Sequence, residues 1–201
     1  MLKPQCGKRP EKASLDAAVC ARCAALGPTC CELTPGQEEL CFPVSLMEKR
    51  RIDEFLGLEL GGLAHERNSR AFVNNLVRLF PRERKIVETL FPSKGEHLRL
   101  ATDKTGRCVF LGPGGCGLPN EVRPYYCRLF PFWVSGSRLT IFTPPGCLAY
   151  REGRSERPML ELLETAAVKM IDLYCRLRMA WGLPPKEGMQ NVTPSLAGLM
   201  K

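Results

Sequence analysis

Residues 106–131 read GRCVFLGPGGCGLPNEVRPYYCRLFP, and three cysteines, Cys108, Cys116 and Cys127, stand there among closely spaced glycines and prolines. From Gly112 to Pro131 this punctuation predicts irregular backbone bent around a site rather than a regular element. Each cysteine lies beside a turn former: Cys108 follows Gly106, Cys116 sits within Gly114–Gly117, and Cys127 follows Pro124. Farther on, Cys147 follows Pro144, Pro145 and Gly146. Glycine and proline let a chain turn closely about an ion, whereas an inert core cysteine has no need of them.

Upstream lies a second group, Cys20-x2-Cys23-x6-Cys30-Cys31. A two-residue spacer lets two thiolates of one tight turn reach a single cation, which is why it recurs in zinc and iron–sulfur sites. Three cysteines fall outside both groups. Cys6 reads as a free thiol of the tail, Cys175 as a helical core cysteine, and Cys41 has no assignment from its surroundings.

The whole chain has 201 residues, a length that suits one domain or two small ones. It is 25% charged and 44% hydrophobic, too apolar for long disorder. No apolar run reaches the ~20 residues of a membrane span, and the start MLKPQCGKRPEK has no secretory hydrophobic stretch. The 11 cysteines are an odd number and, without an export signal, predict reduced thiols in the cytoplasm. In that compartment clustered cysteines point to metal.

Residues 1–14 read as a basic tail, 15–182 as one domain, and 183–201 as a flexible second tail. Within the domain, Ser45 and Glu48 form a capping box ahead of Ile52, Phe55, Leu56 and Leu60. Ser69 caps a helix that aligns Phe72, Val73, Leu76, Val77 and Phe80, and Pro81 suits the first turn of another helix running to Leu90. A last helix spans 158–181, with Leu160, Leu163, Ala167, Met170, Tyr174, Leu177 and Trp181 in a heptad seam. Such a seam serves either a long helix lying across its own domain, which is the favoured reading, or a dimer contact. His97–Ala101 and Arg107–Leu111 read as a hairpin about a five-residue turn, and Arg138–Thr143 as another strand. The expected fold is therefore mainly α with a small irregular β and loop centre, stapled by metal as a single domain.

These residues resemble a known family. CARCAALGPTCC (20–31), FPVSLMEKRRI (42–52), GRCVFLGPGGCGLPNEVRPYYCRLFPFW (106–133) and PPGC (144–147) are similar to the YkgJ-type cysteine-cluster family, described as a zinc- or iron-chelating domain. The resemblance covers residues 18–150 and is most specific at Cys30-Cys31 and at Arg123-Pro124-x-x-Cys127-Arg128-x-Phe130-Pro131. Pro119 stands where such sequences often carry a tyrosine. The resemblance implies Cys20, Cys23, Cys30, Cys31, Cys108, Cys116, Cys127 and Cys147 as the ligand set. Spacing leaves open zinc or iron–sulfur and one site or two. The resemblance to the domain of flagellin lysine-N-methylases tilts the choice slightly towards an iron–sulfur cluster.

Arg22, Arg107, Arg123 and Arg128 lie next to these cysteines, where guanidinium donors can offset thiolate charge; Arg123 and Arg128 are the leading candidates for supporting the ligands. The formal charge of +8 becomes about +4 if eight thiolates hold two dications, which makes nucleic acid an unfavoured partner. The runs Glu48–Arg51 and Arg82–Lys85 read as solvated helix faces, and the aromatics about Cys127 as packing. Neither histidine, His65 or His97, sits in a nucleophile–base arrangement, and no phosphate loop, dinucleotide fingerprint or nucleophile elbow is present. The expected function is that of a cytoplasmic metal-binding protein with a structural or redox-linked role. The alternatives are a component of a methyltransferase or oxidoreductase system, which would draw on a protein partner, and a zinc-stapled nucleic-acid or protein-interaction module.

Overall fold

In the computed structural model, residues 17–57, 61–136, 138–144 and 146–185 are described. Cys6, Leu60, the basic tail and all of the second tail after 185 lie outside them. The order is α1 (Ala18–Leu26), a 3-10 turn (Glu38–Leu40), α2 (Leu46–Leu56), β1 (Leu63–Arg67), α3 (Arg70–Leu79) and α4 (Arg84–Leu90). Then come β2 (Glu96–Leu100), β3 (Leu111–Gly112), β4 (Gly115–Cys116), α5 (Tyr125–Leu129), β5 (Phe132–Ser135), β6 (Arg138–Ile141), α6 (Leu148–Gly153), α7 (Glu156–Leu162) and α8 (Ala167–Ala180). Three antiparallel pairs, β1–β2, β3–β4 and β5–β6, make up the sheet content among the described residues, so helix dominates as the pattern predicts.

Two capped helices form as read. Ser45 Oγ accepts the Glu48 N–H while Glu48 Oε2 accepts the Ser45 N–H, closing the capping box of α2. Ser69 Oγ accepts the Phe72 N–H, and α3 then turns Phe72, Leu76 and Val77 inward. With Phe80, Val87, Leu129, Phe132, Trp133, Tyr174 and Leu177 they build the main core.

The expected hairpin of 97–101 with 107–111 does not form as a ladder. Glu96–Leu100 pairs instead with Leu63–Arg67, in the register Leu63 opposite Leu100 and Arg67 opposite Glu96. Between Thr102 and Cys108 only an isolated bridge remains. Asp103 Oδ1 accepts the Thr105 and Arg107 N–H groups, so the five-residue turn forms, but its outgoing arm is diverted towards the cysteines.

The last helix is also not continuous. It breaks between Leu162 and Ala167, where Glu164 takes a left-handed φ of 52°. The Thr165 N–H bonds back to Leu160 O and closes α7, while Ala166 is extended before α8. No glycine or proline marks this joint in the sequence, which is why periodicity ran through it. The seam residues Met170, Tyr174, Leu177 and Trp181 are buried in the chain's own core, which accounts for their apolarity. Leu183, placed in the second tail by the sequence, joins that core too.

Both charged runs lose members to the interior. Arg178 on α8 is 1% exposed and forms a two-pronged pair with Glu83 at 3.1 and 2.9 Å. Glu83 comes from the run before α4, and Glu48 from the run on α2 is fully buried.

His97 on β2 is buried, stacked on Phe72, with Nδ1 2.9 Å from Asn68 Oδ1 and Nε2 without a partner. Burial lowers its pKa from 6.5 to about 4, because an imidazolium there would bury an unpaired N–H. A depressed histidine pKa means the stabilising contribution is full above pH ~6.5 and is lost as pH falls towards ~4. Unfolding free energy should therefore drop by up to ~3 kcal/mol between pH 7 and pH 4. Urea titrations at a series of pH values measure it, and a His97→Gln chain should show a flatter profile across that interval.

Candidate metal centre

The Cys30–Cys31 doublet is held by its own loop. Thr29 N–H donates to Glu32 Oε2 at 2.8 Å, and Cys31 N–H donates to Thr29 Oγ1 at 3.0 Å. This loop then lies beside the diverted arm of the turn. Leu33 N–H donates to Gly106 O at 2.9 Å, and Cys108 N–H donates to Cys31 O at 2.8 Å. Glu32 and Arg107 pair across the same bridge, 3.7 Å apart. Backbone hydrogen bonds thus bring Cys31 and Cys108, far apart in sequence, side by side. Gly106 permits it: its φ is 85°, and a Cβ there would stand 1.9 Å from Leu33 O.

Cys116 lies on β4, opposite Leu111, and α1 packs against that strand. Arg123 holds this loop by donating to Leu118 O at 2.7 Å and Cys116 O at 3.3 Å, and these two bonds support the ligand-bearing backbone. Cys127 is carried by the short helix α5. Glu48 Oε1 accepts the Tyr125 N–H at 2.7 Å, which anchors the first turn of α5 to the start of α2. Arg51 and Arg128 both lie over the Tyr125 ring, 4.5 and 6.0 Å from its centroid.

Six of the eight expected cysteines gather as electrostatic neighbours. Cys127 is influenced by Cys31, Cys116 and Cys108, and Cys30 by Cys31, Cys20 and Cys127. Cys30, Cys31, Cys108 and Cys127 share the wall of an apolar cavity of about 170 Å³ with Cys41. Cys20 and Cys127 border a second, polar cavity of about 340 Å³. The other two stand together beside Cys20: Cys147 precedes α6 with Cys23 as its neighbour, the Cys23 thiol points to Gly146 O at 3.9 Å, and Cys20 packs against the same small cluster. Arg22, from α1, pairs with Glu152 on α6 at 2.8 and 2.7 Å and ties these two helices together rather than reaching sulfur.

Among the described residues, no three of His, Cys, Asp and Glu are drawn closely enough to form a ready-made ion cage. Cys20, Cys30, Cys31, Cys41, Cys108 and Cys127 border the cavities without forming such a cage. Their protonation follows from where they sit. Cys30 and Cys127 are exposed to the cavities yet have protein on every other side. The Cys31 thiol beside it and then burial raise the pKa of Cys30, while burial and then Cys31 raise that of Cys127. Burial pushes Cys108 up to about 12, with Cys31, Cys116 and Cys41 adding to it, and Cys41 up to about 11. Several thiolates so close together are unfavourable unless a cation joins them. The donor set is soft and suits zinc or an iron–sulfur cluster, whose binding releases those protons.

Cys41 was not assigned from the sequence. It follows the 3-10 turn and lines the same cavity as Cys108, a placement that depends on where the 32–41 loop returns and that no local spacing announces. Cys175 is buried in α8, as its helical flanks predict. The aromatics about Cys127 pack inward: Tyr125, Phe132 and Trp133 are buried, and Tyr126 stacks on Phe42. Arg128 makes no hydrogen bond to a carboxylate or carbonyl among the described residues; burial and then Arg51 lower its pKa, against a weaker opposite pull from Tyr125 and Glu121.

No protein family, curated protein or solved structure matches this chain. The reading of the centre accordingly rests on its own residues.

Replacing Gly106 by alanine should destabilise the fold by ~2 kcal/mol or more, through positive φ and the clash with Leu33 O. It should also make Cys31 and Cys108 of the metal-free chain react faster with maleimide, read peptide by peptide by mass spectrometry. An alanine chain with wild-type urea midpoint and wild-type reaction rates would contradict the clamp.

Proposed function

We propose that this chain is a thiolate metal-binding protein whose centre is assembled from Cys20, Cys30, Cys31, Cys108, Cys116 and Cys127, with Cys23 and Cys147 forming a second pair that adjoins Cys20. The observation that carries this reading is the convergence of cysteines from both ends of the domain: Cys20, Cys30, Cys31, Cys108 and Cys127 border two adjoining cavities, and Cys116 is an electrostatic neighbour of Cys108 and Cys127. A core that needed only apolar filling would not place so many thiols against one another at the wall of a cavity, where each raises the cost of ionising the next. An iron–sulfur cluster or zinc supplies the positive charge that lets those thiols ionise, and in the iron–sulfur case a site for one-electron chemistry. The protein's part is to hold the donors: the Cys31–Cys108 backbone clamp, the Arg123 hold on the Cys116 loop, and the Glu48 anchor beneath Cys127. The proposed setting is the cytoplasm; no helix among the described residues is long and apolar enough to cross a membrane.

Protein prepared without oxygen should contain stoichiometric iron with acid-labile sulfide, or stoichiometric zinc. A brown sample with a broad absorption near ~400 nm that bleaches with dithionite identifies the cluster, and a colourless one with zinc the alternative. Cys127→Ser should lose most of the bound metal, while Cys175→Ser should keep it. A wild-type chain that carries no metal, takes up none on reconstitution, and melts unchanged by chelator would overturn the proposal.

A further inference from the structure

The polar cavity beside Cys20 and Cys127 differs in kind from the apolar one. It lies between the start of α1, the loop before α5, the joint between α7 and α8, and the first turns of α8. Cations on its wall are Arg123, Arg128 and Lys169, and the carboxylates are Glu164 and Asp172. Asp172 is paired through Oδ2, which accepts from Arg176 Nε at 2.7 Å, while its buried Oδ1 has no donor, and Glu164 and Lys169 are both exposed. Among the described residues the wall then carries an excess of positive charge, Arg128 and Lys169 against Glu164.

Arg128 is the centre of that excess. Its guanidinium is half-buried against the Tyr125 ring, its Nε is buried without an acceptor, and Arg51 lies on the same ring. Arg51 likewise has buried Nε and Nη2 atoms without acceptors. Two guanidinium groups held this close, neither hydrogen-bonded to a carboxylate among the described residues, repel each other and forgo the charge-assisted hydrogen bonds they are built to make, with Glu121 only a weaker electrostatic neighbour of Arg128. An anion at the cavity wall relieves both penalties. Asn120 and Thr165 add neutral polar groups on the same wall. At about 340 Å³ the cavity is of the size that holds a small molecule.

We propose that this cavity binds the carboxylate or phosphate group of a small anionic molecule, with Arg128 as its principal partner and Lys169 as a supporting cation. Cys127 and Phe130 border both cavities, so an anion seated on Arg128 stands next to the thiol that separates the two. An apolar portion of the same molecule would have the Phe42, Tyr126 and Phe130 side on offer. The charge excess arises from arginine and lysine and does not depend on what the thiols hold.

Calorimetric titration of the full chain with inorganic phosphate, and separately with malonate, tests this against chloride at equal ionic strength. Saturable binding of one equivalent of either anion is expected, and the tighter of the two names the group. Arg128→Gln should weaken it roughly tenfold and Lys169→Gln several-fold, while Arg157→Gln, far out on α7, should leave it unchanged. Because Arg128 packs on Tyr125, a second measurement uses the unaltered chain: the bound anion should slow modification of Arg128 by phenylglyoxal, read by peptide mass spectrometry. Repeating both after chelation keeps the outcome separate from that of the metal proposal, since anion binding should persist in metal-free protein that stays folded. No saturable binding of either anion at millimolar concentration, or an affinity that Arg128→Gln leaves intact, overturns the inference.

Discussion

One buried carboxylate connects the start of the fold's second helix with the helix that carries its most central thiol. Glu48 is fully buried, and its two oxygens serve two helix starts: Oε2 accepts from Ser45 and Oε1 from Tyr125. A carboxylate away from water costs several kcal/mol unless its lone pairs are satisfied, and two backbone donors at 2.7 Å satisfy them. The first turn of a helix leaves N–H groups without partners, so each oxygen answers a need that the backbone itself creates. Shortening Glu48 would leave two buried donors unpaired at once, in helices far apart in sequence. The placement of Cys127, the stacking of Arg51 and Arg128 on Tyr125, and the wall between the two cavities all rest on that joint.

How much of this was readable beforehand depended on whether the signal was local. The Ser45–Glu48 box and the Ser69 cap were legible because their partners lie three residues away. The second oxygen of Glu48 was not, since its partner lies 77 residues on. The same limit explains Glu83, which reads as part of a solvated run and is claimed by Arg178 from across the domain. Strand pairing failed for a related reason: alternation identified Glu96–Leu100 as extended, but the competing partner, Leu63–Arg67, carries mixed polar and apolar residues that do not advertise a strand. In the last helix a non-glycine left-handed residue interrupts a continuous seam, and no composition rule marks Glu164 for that role.

The cysteines divide along the same line. Their association with turns was visible in the neighbouring glycines and prolines, and Gly106 shows the physical reason in a single contact with Leu33 O. Which cysteines meet which was not visible. Spacing grouped Cys20 with Cys23, and as i, i+3 positions of α1 they do share a helix face; what spacing did not show is that Cys20 also lies beside Cys30 and Cys127, and Cys23 beside Cys147. Cys41 joined the group only through the return of a loop. The arginines beside the cysteines likewise took several tasks, with Arg22 joining two helices, Arg107 bridging to Glu32, and Arg123 holding carbonyls.

The contact between Cys31 and Cys108 also bears on the order in which the molecule can be made. Synthesis runs from the amino end, and Cys20, Cys23, Cys30 and Cys31 leave the ribosome long before Cys108, Cys116 and Cys127 exist to cover them. For that interval the early thiols have no cavity, no clamp and no neighbours from the second group, and their acidity is that of an unfolded chain. They are then more easily ionised and more open to oxidants than in the folded metal-free chain, where the Cys31 thiol and then burial raise the pKa of Cys30. Folding thus acts on these sulfurs first as protection, and the interval of exposure is set by the distance along the chain between the two groups.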